Sequence, residues 1–235
     1  MKLVLFDCDG TLVDSAGLIH AVMSDTFADF GKPRPDISET KAIIGLTLDI
    51  AIARMLGKAH VDDEARAMTQ RYREIYHPIR ARPGMVEPLF DGIAPLIDTL
   101  AKRDDVLIGA VTGKGRRGLT HILETHGFAE HFIVSRTADD CPSKPHPAMV
   151  MECCHETGMV PADTIVIGDA VYDMQMAKAA GATAIGVAWG YASVDDLWKA
   201  GADAVVSHPR EIPAYVPAGI SGVTFSIRLM RTCHA

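Results

Sequence analysis

The sequence predicts an α/β fold, a doubly wound parallel sheet with an all-helical segment placed after its first strand. Three observations carry this. Short apolar runs at 3–6, 106–111, 164–167 and 183–187 each end in a turn signal, as buried parallel strands do. From residue 106 onward these runs alternate with helical patterns, which argues for a sheet covered on both faces. Between the first run and residue 106 only helical patterns occur.

Taken in order, the strand at 3–6 runs into Asp7-Cys8-Asp9-Gly10, where Gly10 permits a tight turn. Leu18, Ile19, Val22, Met23, Thr26, Phe27 and Phe30 then form a stripe of helical period, stopped by Gly31 and Pro33. Further helices are expected near 38–44, 47–57 and 61–77, before Pro83-Gly84 and Pro88 punctuate the chain. Ile93, Leu96, Ile97 and Leu100 form a second stripe leading into the strand at 106–111. The remaining pattern predicts helix 115–126, strand 131–134, helix 146–158, strand 164–167, helix 172–180, strand 183–187, helix 193–200 and a short edge strand within 201–206. Residues 1–13 and 89–216 are thus expected to form the α/β core and 14–88 an all-helical insert. The tail, 217–235, fits none of these elements.

Bulk properties narrow the function. With 48% hydrophobic residues in 235, the chain can bury a substantial core. No run approaches the ~20 apolar residues that span a bilayer, and no basic, apolar and small-residue leader is visible at the start. A net charge of −7 argues against a nucleic-acid surface. Five cysteines without metal-ligand spacing suggest free thiols in a reducing compartment. A cytoplasmic protein, monomeric or homodimeric, without membrane or nucleic-acid partners is expected. Residues 14–88 hold 11 acids and 10 bases, whereas the rest holds 19 acids and 13 bases. Their cations could pair along helix surfaces or face an anionic substrate.

Chemistry is expected first at Asp7 and Asp9. In an extended chain they point the same way, and like charges so close disfavour joint ionisation. A divalent cation or a shared proton would relieve that cost. Three later pieces extend the pattern: Thr112 at the end of the run 106–111, Lys144 within Pro142-Ser143-Lys144-Pro145, and Gly168-Asp169 with Asp173 after the run 164–167. In open α/β sheets such strand ends are where ligands bind.

These motifs, in this order, resemble those of the haloacid dehalogenase superfamily, whose core is a Rossmann-like doubly wound sheet with a helical cap. The likeness covers roughly residues 1–210 and is greatest to capped phosphatases of the phosphoglycolate phosphatase type. It implies a phosphatase acting on a small phosphorylated metabolite, with Asp7 as nucleophile and Asp9 as general acid/base. It also implies Mg2+ held by Asp7, Asp169 and the Asp9 carbonyl, with Asp173 on a metal-bound water. Thr112, Lys144 and the backbone N–H groups of Gly10 and Gly113 would bind phosphate. Two departures stand out: relatives often carry Asn where Gly113 stands, and Thr or Ser where Ala170 stands. Both are expected to remove side-chain hydrogen bonds and leave the nucleophile, acid, cation and ligands intact.

Other readings remain. A sugar phosphomutase of the same fold would be expected to carry Arg where Leu48 follows Gly45-Leu46-Thr47, and a His where Ile19 stands. A dehalogenase needs no leaving-group proton, so Asp9 counts against it. A regulatory protein that binds a phosphometabolite, or is phosphorylated on aspartate, would share the acidic pocket but would not need the helices, which suit a lid that excludes water. Lys41, Arg54 and Arg80 are candidate substrate contacts.

Overall fold

A computed structural model describes residues 1–217, so the expectation for the tail lies outside the described residues apart from Pro217. Six strands form one parallel sheet: β1 (Lys2–Phe6), β2 (Val106–Val111), β3 (Phe132–Arg136), β4 (Thr164–Gly168), β5 (Thr183–Val187) and β6 (Ala204–Val206). Their order is β3-β2-β1-β4-β5-β6. β1 pairs with β2 from Lys2↔Val106 to Phe6↔Ala110, and with β4 from Leu3↔Thr164 to Phe6↔Ile167. The chain builds outward to one side of β1, then returns to build the other. The switch point, where such sheets open a crevice, is therefore at the end of β1.

Alternation along β1 divides the core. Val4 and Phe6 pack on one face with Ile97 and Leu100 of α5 (Ile93–Ala101) and Leu119 and Ile122 of α6 (Arg116–Thr125). Leu3 and Leu5 pack on the other with Met149 and Cys153 of α7 (Ala148–Thr157), Met174 and Ala177 of α8 (Val171–Ala180) and Leu197 of α9 (Val194–Lys199). All five β1 side chains except Lys2 are wholly buried. That is why this strand reads as a continuous apolar run.

Between Val13 and Leu89 the chain forms α1 (Ala16–Asp29), α2 (Ile37–Lys41), α3 (Leu48–Met55) and α4 (Asp63–Arg80). Leu18, Val22, Ile44, Ile52, Met68 and Ile79 belong to a separate apolar cluster of these helices. The two chain crossings lie side by side: Val13 bridges Leu89, Asp14 N–H donates to the Pro88 carbonyl (2.9 Å), and Phe90 N–H donates to the Leu12 carbonyl (3.0 Å). α2 ends earlier than its sequence pattern predicts, because the chain turns after Lys41 and takes a positive φ of 103° at Gly45. α4 instead runs past the predicted 77, with Pro78 inside its last turn. None of the described helices is long and apolar enough to cross a membrane.

Candidate active site

Every site residue expected from sequence lies in a loop or first helical turn just beyond a strand's carboxyl end, or in a loop that reaches those ends. Asp7 continues the β1–β4 ladder by one bond, its N–H donating to the Ile167 carbonyl (2.9 Å), so its carboxylate is fixed beside β4. It is 1% exposed. Lys144 Nζ lies 2.9 Å from Asp7 Oδ1 and 2.6 Å from Asp173 Oδ1. The contact to Asp7 has ion-pair distance without hydrogen-bond direction, and both Asp7 oxygens lack a hydrogen-bond partner. A buried carboxylate left this way needs an explanation.

Asp169, also 1% exposed, accepts from Thr11 Oγ1 (3.0 Å) and from Tyr191 N–H (2.9 Å). Gly10 matters here: a Cβ on it would sit 2.3 Å from Asp169 Oδ2, and its φ is +84°. Only glycine both turns this way and leaves the carboxylate its place. Asp173 caps the start of α8, its Oδ2 accepting from Ala170 N–H (3.0 Å), while its other oxygen pairs with Lys144.

Asp7, Asp169 and Asp173 each offer an oxygen within 4.8 Å of the others. Burial pushes the Asp7 carboxyl up to about 7, with Lys144 pulling against it and Asp173 adding to the rise. Burial likewise raises Asp169 well above the carboxylate range, reinforced by Asp7 and Asp173. For Lys144, burial alone would lower the value, but Asp173 and Asp7 outweigh it and hold the ammonium charged. Three buried acids against one lysine form a site short of positive charge. An all-oxygen donor set, with two carboxylate oxygens free of hydrogen bonds, fits a hard divalent cation.

Thr112 is 1% exposed, and its Oγ1 accepts from Lys114 N–H (3.1 Å), so the hydroxyl hydrogen is free to turn elsewhere. Gly113 corrects the sequence reading. A Cβ there would lie 2.6 Å from the carbonyl oxygens of both Gly45 and Leu46. The chain bearing α2 and α3 presses on this turn, so an asparagine would not simply add a hydrogen bond; its Cβ has no room.

A cavity of about 1050 Å3 opens between α4 and the loop leading to α6, with Asp9, Gly113 and Lys114 in its wall. A sequence model of the haloacid dehalogenase-like hydrolases matches residues 4–187. The chain belongs to that family. This hydrolase is 31% identical over 213 residues to the phosphoglycolate phosphatase of Xylella fastidiosa, covering 89% of this chain and 90% of that one. It is 30% identical over 219 residues to the N-acetylmuramic acid 6-phosphate phosphatase of Pseudomonas aeruginosa, covering 90% and 93%. A hydrolase from Pseudomonas syringae, 24% identical, shares the fold with a TM-score of 0.79 over 92% of this chain and 98% of that one. With phosphatases for relatives over nearly its whole length, the protein is a phosphoric monoester hydrolase.

Of the three cations the sequence offered as substrate contacts, the cavity of this hydrolase takes one. Lys41 Nζ lies over the Tyr191 ring, 5.4 Å from its centre. Arg54 covers the Tyr172 ring at 5.2 Å and donates to its hydroxyl (3.0 Å). Arg80 does line the cavity, although its Nη2 is 3.4 Å from Glu87 Oε2. Sequence reasoning missed Arg73 of α4 and Arg117 of α6, exposed residues that line the cavity from different helices. It also missed Lys114, whose Nζ lies 2.8 Å from Asp9 Oδ1 and 3.0 Å from Glu87 Oε1. The available signal was positional: Lys114 stands two residues past Thr112, and Glu87 two before the chain re-enters the core at Leu89.

Proposed function

We propose that the protein hydrolyses a small, acidic phosphorylated metabolite with Mg2+ through a phosphoryl group carried on Asp7, and that α1–α4 act as a cap over the site. The observation that carries this is the Asp7 carboxylate itself: buried, fixed at the end of β1, beside Lys144, with neither oxygen engaged in a hydrogen bond. Asp7 would attack phosphorus in line with the departing ester oxygen. Asp9 would protonate that oxygen as the P–O bond breaks. Asp9, now a base, would take a proton from water, which attacks phosphorus and frees Asp7 and inorganic phosphate. Lys144, Thr112 and the N–H groups of Gly10 and Gly113 would hold the phosphoryl oxygens, supplying positive charge where the transition state spreads its own. Asp7, Asp169 and the Asp9 carbonyl would hold Mg2+, with Asp173 on a bound water. The ion would neutralise the repulsion between the dianion and these acids.

The cavity supports a substrate class. Arg73 and Arg117 make no ion pair among the described residues and line it from different helices. They suit a second anionic group on the substrate, apart from the phosphate. Phosphoglycolate and N-acetylmuramic acid 6-phosphate, for which the relatives are named, both carry a carboxylate. Phosphate release from these and from uncharged sugar phosphates, ranked by kcat/KM with and without Mg2+, tests the proposal. Preference for the carboxylated substrates and dependence on the metal are expected. Full activity in chelator would overturn the ligand assignment, and transfer of phosphate to another position of a sugar would point to a mutase.

A further inference from the structure

The Lys114 cluster is built with more care than an incidental ion pair. Its three charged side chains are nearly out of solvent: Lys114 is 8% exposed, Asp9 10% and Glu87 3%. Lys114 has three N–H donors, of which one meets Asp9 Oδ1 and another Glu87 Oε1. The lysine stem has room because Gly118 of α6 lacks a side chain; a Cβ there would fall 2.8 Å from Lys114 Cγ and 3.0 Å from Cδ.

Glu87 is anchored in turn. Tyr76 Oη lies 3.5 Å from Glu87 Oε1, Arg80 Nη2 lies 3.4 Å from Oε2, and the Glu87 carbonyl is 3.1 Å from His126 Nε2. The ammonium of Lys114 is thus shared between Asp9 and Glu87, and Glu87 is itself contacted by Tyr76 and Arg80 of α4 and by His126 just past α6. On Asp9, Oδ1 is engaged, whereas no hydrogen bond to Oδ2 occurs among the described residues.

We infer that Lys114, braced by Glu87, is a positioning residue for Asp9: it holds Oδ1 and leaves Oδ2 as the oxygen that exchanges the proton with the ester oxygen and then with water. The inference rests on Asp9 being the general acid/base. It assigns Lys114 no contact with the reacting atoms. A carboxyl that can rotate presents its proton in the wrong direction much of the time, and proton transfer needs hydrogen-bond reach to the departing oxygen.

The test compares two leaving groups. An alkyl phosphate needs a proton as its alkoxide departs, whereas p-nitrophenyl phosphate does not. Lys114→Met keeps the stem and removes the ammonium. Because it leaves Asp9 without its cation and Glu87 with only Arg80, Lys114→Met/Glu87→Gln is measured beside it, with circular dichroism to confirm folding. Both variants should lose at least about tenfold more kcat on the alkyl than on the aryl phosphate, a part of the ~100- to 10,000-fold that acid–base catalysis supplies. Asp9→Asn is the reference. If it shows the alkyl–aryl split and the folded Lys114 variants lose equally on both substrates, Lys114 is merely structural. If Asp9→Asn shows no split either, the acid/base reading of Asp9 fails with it.

Discussion

Two buried lysines organise this site, and they do so from different parts of the molecule. Lys144 stands between Asp7 and Asp173, Lys114 between Asp9 and Glu87. Both partners of the Lys144 ammonium belong to the sheet and its flanking helices, at the end of β1 and in the first turn of α8, although Thr47 N–H, just ahead of α3, donates to Ser143 Oγ beside it (2.9 Å). The Lys114 cluster instead takes Glu87 from the chain returning from α4, and Tyr76 and Arg80 of α4 itself contact that glutamate. The Lys144 ammonium thus finds both its partners in the core, whereas the Lys114 ammonium draws one of its two from the chain returning from α4. On the proposed roles, the nucleophile's ion pair is built into the scaffold and that of the acid/base also needs the helical segment seated.

The largest effect should come from breaking the Lys144 cluster. Lys144→Met leaves two acids in wholly buried positions without their cation. Removing one partner of a buried pair costs about 3–5 kcal/mol, so urea unfolding in chelator should show a loss of that size, together with loss of turnover. Lys114→Met should cost less, since Asp9 borders the cavity and its charge can be solvated. Equal losses would mean that the two clusters do not differ in the way described.

Next in size is Asp9→Asn, expected to lower turnover of alkyl phosphates by ~100- to 10,000-fold. Its side chain is proposed to act on protons only, so the Mg2+ concentration for half-maximal rate should stay near that of the parent. Asp169→Asn should raise that concentration. If metal titrations show both variants equally impaired, the Asp9 side chain is a ligand and the division of labour is wrong.

How much of this was legible in the sequence follows from the same contrast. Asp7, Thr112, Lys144 and Asp169 could be read because each follows an apolar run or a proline-rich turn in an ordered series, and the parallel sheet brings strand ends together. The strands themselves were legible through burial, as the wholly apolar Leu3–Phe6 stretch of β1 shows. The Lys114–Glu87 pair was not. Its members are 27 residues apart, with α5 and β2 between them, and Lys114 and Asp9 are 105 apart. No periodicity marks such a pairing, and charges on helical segments read as surface pairs. Gly113 was misread for a related reason. The carbonyls that occupy its side-chain space come from Gly45 and Leu46, far away in sequence.

A smaller effect sharpens the account of the three clustered acids, Asp7, Asp169 and Asp173. The Asp7 carboxyl rises from an ordinary 3.8 to about 7 in the fold, chiefly through burial. The folded state therefore binds this proton more tightly than the unfolded chain does. The metal-free fold should accordingly lose stability as pH rises from about 4 through about 7. Held as proposed, Mg2+ would bind the ionised form and counteract that loss. The rise in Tm on adding Mg2+ should be greater at about pH 8 than at about pH 5.5, and an equal rise at both would contradict the assignment of Asp7 as a ligand.

The central claim is that Asp7 carries the phosphoryl group, and it can be observed on the protein itself. Enzyme quenched in acid during turnover, digested and analysed by mass spectrometry should carry one phosphoryl group on the peptide containing Asp7, and Asp7→Asn should carry none and turn over no substrate. A phosphoryl group on a different residue, or an Asp7→Asn rate within about tenfold of the parent, equivalent to about 1.4 kcal/mol of barrier, would contradict it.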